Sequence, residues 1–129
     1  MSDLDLSGEW AGVYSYQGGL PPVSFAASLR DAGGALLGSI EEESALEGRA
    51  PQLRAAAIEG RRIGLATTWL KMYEDREVNH DVVYEGEVSP DGQEIGGRWA
   101  IVGSWSGSFL MVRKPVLAKA RARRARART

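Results

Sequence analysis

Glu42, Lys71, Tyr73, His80 and Tyr84 are the side chains best able to do chemistry in this sequence. A carboxylate, an amine, an imidazole and two phenols converging on one cleft could pass protons, or could orient a polar group of a bound molecule. Each sits in a run that reads as an extended strand with alternating faces, as in Trp69-Leu70-Lys71-Met72-Tyr73 and His80-Asp81-Val82-Val83-Tyr84. Alternation with period two is the mark of extended strands, in which residues i and i+2 share a face. If Trp10, Trp69 and Trp99 face an interior, parity sends Tyr14, Tyr16, Glu42, Lys71, Tyr73, His80 and Tyr84 inward with them. Phe25, Leu36, Ile40, Leu65, Thr67, Val82, Ile95, Trp105, Phe109 and Met111 follow by the same rule.

Glu42 and Lys71 then pose a question of solvation, because stripping water from an ion costs several kcal/mol. Both fall toward strand ends, so one reading has their tips reaching water at the mouth of a cavity. In the other they line that mouth with Tyr73, His80 and Tyr84 and hold a polar group of a ligand. His80, the only histidine, could be a general base or an axial haem ligand. Beside the charged run Glu74-Asp75-Arg76-Glu77, a surface or mouth position is the commoner role for such a residue.

Several chemistries find no support. The chain has no cysteine, which removes disulfides, thiolate metal sites and thiol nucleophiles. With one histidine there is no zinc or copper set, and Glu41-Glu42-Glu43 cannot converge on a cation because strand neighbours point to opposite faces. No serine sits in a nucleophile elbow, and Gly96-Gly97 precedes no helix that would cradle phosphate. No catalytic residue, metal or cofactor is therefore expected.

The elements that must position these residues read as eight short strands. Expected spans are about 8–16, 23–30, 35–42, 53–59, 62–73, 79–88, 95–101 and 107–113. Between them lie Gly18-Gly19-Leu20-Pro21-Pro22, Asp31-Ala32-Gly33-Gly34, the polar stretch 43–52, Gly60-Arg61, the charged run at 74–77, Ser89-Pro90-Asp91-Gly92 and Val102-Gly103-Ser104. Tight links and no convincing helix before residue 114 point to an all-β domain over residues 1–114, an eight-stranded antiparallel up-and-down β-barrel. A Greek-key sandwich would need long crossovers, for which only residues 43–52 offer length.

Residues 115–129 form an Arg- and Ala-rich tail without an apolar face, expected to be a flexible segment or a frayed helix. Formal charge is −1 overall, yet all 17 acidic residues precede Arg113 and half of the 16 basic residues lie from Arg113 onward. The tail could attract polyanions by charge, but it has no aromatic to stack on a base, so a nucleic-acid role is not expected. No apolar run approaches the ~20 residues of a membrane helix, and the first residues lack a signal-peptide pattern, so membrane insertion is not expected and a cytoplasmic location is.

The order of motifs GEWAGVY, GGALLGSIEE, TTWLKMY, VVYEG, IGGRWAI and SGSFLMVRK, over about residues 8–114, resembles the avidin and streptavidin barrels within the calycin, or lipocalin-like, group. The resemblance implies that Trp10 and Arg113 plug one end, the cation over the indole. It also implies an aromatic-walled cavity, since Trp69 and Trp99 match pocket tryptophans. It does not carry biotin: Gly12, Tyr16, Ile40 and Glu42 stand where avidins place polar groups for the ureido ring, and Gly107 stands where they place an acid.

The sequence thus leads to a non-catalytic barrel that binds a small, partly apolar molecule through Tyr14, Tyr16, Glu42, Trp69, Lys71, Tyr73, His80, Tyr84, Trp99 and Trp105. The alternatives are an interaction module with a filled core, and an enzyme using Glu42, Lys71, Tyr73 and His80 at the mouth. Outward-facing Leu70, Met72, Ala100, Val102, Leu110 and Val112 lead to an expectation of homo-oligomers, such as a dimer.

Overall fold

A computed structural model of the protein describes residues 4–18, 20–44, 52–74, 81–101 and 103–114. The expectations for His80, Val102 and the tail fall outside these residues. Eight antiparallel strands form one closed barrel in chain order: β1 (Gly8–Tyr16), β2 (Val23–Ala32), β3 (Ala35–Ser44), β4 (Gln52–Ile63), β5 (Ala66–Tyr73), β6 (Val82–Val88), β7 (Glu94–Ala100) and β8 (Ser106–Arg113). β8 returns to β1 through pairs such as Trp10 with Arg113 and Tyr14 with Phe109. No sheet edge is left open, which is how an up-and-down barrel disposes of unpaired backbone groups. Among the described residues no helix is long and apolar enough to cross a membrane.

The register fixes the barrel's girth. From Gly8 the pairs run through Leu29, Gly38, Ile58, Lys71 and Val82. Continued round to β1, they arrive about ten residues further along, a stagger that tilts the strands by roughly 40°. Strand alternation then does the sorting: Trp10, Tyr14, Phe25, Leu36, Ile40, Ile58, Trp69, Tyr84, Ile95, Trp99, Phe109 and Met111 are all buried inside.

One end is closed by the chain's own start. Leu6 is fully buried, and its carbonyl accepts from Trp10 Nε1 at 2.9 Å. The Arg113 guanidinium lies 4.7 Å over the Trp10 ring, the expected plug, and donates to the carbonyls of Ser7 and Asp5 at 2.8 and 2.7 Å. Asp31 accepts from the Leu6 N–H and from Arg62 Nε, while Arg62 Nη2 donates to the Leu4 carbonyl. Two arginines and one aspartate therefore strap residues 4–7 across the barrel floor.

The structure moves one expected turn. The link between the fourth and fifth strands is Gly64-Leu65, with Gly64 at φ +60°, four residues beyond Gly60-Arg61. Gly60 lies inside β4 opposite Trp69, where a Cβ would strike the β5 backbone and the root of the Trp69 side chain. Its missing side chain serves a close approach and not a bend. Leu65 consequently sits exposed in the turn and does not face the interior. The stretch 43–52, read as a loop, is strand at both edges, since β3 and β4 pair out to Ser44 and Gln52. Asp31 and Ala32 belong to β2, and the hairpin is made by Gly33 and Gly34 alone, both at positive φ.

Candidate functional site

The far end of the barrel, opposite the strapped floor, collects the polar residues. Glu42 near the end of β3 and Lys71 on β5 both point inward, and Lys71 Nζ meets Glu42 Oε2 at 3.1 Å. Only 3% of Glu42 and 1% of Lys71 is exposed. They were expected either to reach water at a barrel mouth or to line that mouth and orient a polar group of a ligand. In the structure they form a buried ion pair, and each ion has further hydrogen-bond partners that help to offset its lost hydration. Glu42 Oε1 accepts from the Tyr73 hydroxyl at 2.7 Å and the Tyr14 hydroxyl at 3.3 Å. Lys71 Nζ also donates to the Tyr84 hydroxyl oxygen at 3.0 Å. The same ammonium lies 4.7 Å from the Tyr14 and Tyr73 ring centres and 5.2 Å from that of Tyr84.

These surroundings set the protonation states. Burial pulls the Lys71 pKa below its ordinary value, Glu42 opposes the change, and the nearby Arg54 charge adds to it. Burial raises the phenols of Tyr14, Tyr73 and Tyr84 far above the ordinary tyrosine value, and the Glu42 carboxylate pushes each further. The cluster is an ion pair ringed by three neutral phenols.

Aromatic rings fill the space around it. Trp99 stands edge-on to Tyr14 and Tyr16, with centroids 5.8 and 5.2 Å apart, and its Nε1 donates to the Ser15 carbonyl at 3.0 Å. Trp69 stacks on Tyr84 at 5.7 Å and 16°. Yet Trp69 Nε1 and Thr67 Oγ1, one below the other along β5, are buried with no hydrogen-bond partner. Such atoms are uncommon in folded proteins, and these two leave hydrogen-bonding capacity unused inside the barrel.

Of the residues expected to bind a ligand, Tyr14, Glu42, Trp69, Lys71, Tyr84 and Trp99 are buried together, and Tyr16 and Tyr73 are half-buried at the same end. Trp105 was expected to face the interior, and that placement is corrected. It precedes β8 in the connection from β7, is 51% exposed, and touches the cluster only through an edge contact with Tyr16 at 5.7 Å. Parity carried back from Phe109 fails there because the chain is no longer a strand. The outward apolar set is also reduced: Leu110 and Val112 are exposed, while Leu70 and Met72 are half-buried.

One residue of the site escaped the sequence reading. Arg54 is paired across β3–β4 with Glu42 and shares its inward face, with the guanidinium carbon 5.9 Å over the Tyr73 ring. Faces assigned along the fourth strand from Ala56 and Ile58 would have placed it inside. Among the described residues no group of three His, Cys, Asp or Glu side chains could hold a metal. Comparison of the sequence with known family models and with curated proteins finds no match.

Proposed function

We propose that this barrel is a non-catalytic binding protein that holds a small, partly apolar molecule at the end where Tyr16, Tyr73 and Trp105 come to the surface. The observation that carries this reading is the asymmetry of the interior. One end is sealed by Leu6, Trp10 and Arg113, while the other concentrates an ion pair, four tyrosines and two tryptophans. An aromatic lining with a few convergent polar groups is the usual make-up of a small-molecule site. The unpaired Trp69 Nε1 adds a donor that a ligand acceptor would satisfy.

Kinship with the avidin barrels is compatible with the closed eight-stranded sheet and with Arg113 over Trp10. Biotin does not fit this reading, because the space a side chain at Gly107 would need holds the Trp99 indole and the Ser15 carbonyl. Self-association belongs to the proposal as well, through exposed Leu110 and Val112 on neighbouring positions of one β8 face.

A second reading, a filled barrel that works through its outer surface, is favoured by the fit of rings onto glycines. A Cβ at Gly12 would lie inside the Phe25 ring, as one at Gly107 would lie against Trp99. Native mass spectrometry of freshly purified protein, followed by tryptophan-fluorescence titration with small aromatics, separates the two. A co-purified mass, or saturable quenching weakened by Tyr16→Ala, supports the binding site. No bound mass and no quenching by any probe would leave the filled barrel.

A further inference from the structure

Among the described residues, the inward-facing charge at the polar end does not balance. Among the described residues, the charged side chains facing inward there are Glu42, Lys71 and Arg54, and Glu42 is already committed to Lys71. The described ion pairs are Lys71 with Glu42 and Arg62 with Asp31, so Arg54 has no acidic partner among these residues, nor any hydrogen bond from its guanidinium. It is half-buried, and its guanidinium carbon 5.9 Å from the Tyr73 ring centre makes a cation–π contact. Its positive charge is felt at Lys71, where it helps to depress the amine's pKa. A guanidinium held over a ring keeps its N–H edges free to make a bidentate contact with a carboxylate, sulfonate or phosphate.

Resting on the binding function proposed above, we propose that the ligand is a small organic anion: an apolar, ring-bearing body against Tyr16 and Trp99, with its acidic group on Arg54. The surplus of one positive charge among the described inward-facing residues selects for the anion, and the ring wall selects for the body. The neutralised Glu42–Lys71 pair takes no part in the charge contact. It keeps Tyr73, the platform under Arg54, in place through the 2.7 Å hydrogen bond.

The test is isothermal titration calorimetry on the full-length chain with two probes of equal shape, 1-naphthoate and its neutral amide. Naphthoate is expected to bind about tenfold more tightly than the amide, the size of one charge-assisted contact. Arg54→Gln should abolish that preference by weakening naphthoate about tenfold while leaving the amide unchanged. Arg54→Lys, which keeps the charge but not the fork, should retain part of it, and provides the reading should the glutamine variant fail to fold. Added salt should weaken naphthoate alone. Equal affinity for both probes, or a preference that survives in both variants, overturns the anion assignment and leaves the binding site standing. Failure of both probes to bind overturns the binding function and this inference together.

Discussion

Removing one member of the Glu42–Lys71 pair is the perturbation whose outcome the structure fixes most tightly. Glu42→Gln keeps the shape and most hydrogen-bonding capacity of the side chain but deletes the charge that faces Lys71 Nζ at 3.1 Å. Lys71 then stands 1% exposed with only phenols around it. Breaking a buried pair from one side costs about 3–5 kcal/mol. Lys71→Met should cost less, about 2–3 kcal/mol, because Tyr14 and Tyr73 still donate to the stranded carboxylate. The double variant removes both ions and puts an apolar side chain among rings. It should return to within about 1 kcal/mol of the native protein, which makes the coupling energy of the cycle large, about 3 kcal/mol or more. Urea unfolding followed by tryptophan fluorescence measures all four proteins, and the first single variant should also lose roughly 10 °C in Tm. Additive losses below about 1 kcal/mol for each single variant would mean that water reaches the pair, and the buried-cluster reasoning would fail.

Alkaline titration should be dominated by the tyrosines. The folded pKa values of Tyr14, Tyr73 and Tyr84 lie above the ordinary value of 10.0, so above pH 10 the unfolded chain releases protons that the folded chain keeps, and stability falls. Each buried phenol contributes about 1.4 kcal/mol per pH unit, and tyrosinate absorbance should rise abruptly on unfolding; a smooth rise at pH 10 from all four tyrosines of a folded protein would contradict this. Lys71 acts in the opposite sense only between its lowered pKa and 10.5, so Tyr84→Phe should make the alkaline fall shallower and Lys71→Met should not. At the acid end, burial would raise the Asp31 pKa, but Arg62 and the Leu6 and Gly34 N–H groups outweigh it and hold the carboxyl below 3.8. Its contribution is present above pH 3.8 and lost as pH falls through the lower folded value; Asp31→Asn should cost about 2 kcal/mol at pH 7 and nothing further in acid, as chemical denaturation at the two pH values would show.

Period-two alternation made the fold legible, because a barrel whose inner face is packed with buried side chains leaves a face assignment at every second residue of every strand. It also brought Tyr14, Glu42, Trp69, Lys71, Tyr84 and Trp99 to one side before any partner was known. What alternation lacks is register. Whether Glu42 and Lys71 meet depends on stagger summed over β3, β4 and β5, and each pairing is fixed by backbone geometry that a single strand's pattern does not contain. The same gap explains Gly60: a glycine read as a turn is, in the paired sheet, the only residue that fits under Trp69. Alternation also misleads when carried past a strand's end, as at Trp105 and Leu65.

Arg54 shows the opposite failure, an inward-facing residue that the strand pattern was not used to assign. Once Glu42 is known to be inside, antiparallel pairing leaves its β4 partner no other face. The outward alternative would require a bulge, and the pairs from Ala35 with Arg61 to Ser44 with Gln52 run without interruption. An uninterrupted ladder next to a committed carboxylate therefore places a second cation on the inner face of the barrel, and the proposed anion contact rests on this cation more than on the ion pair beside it.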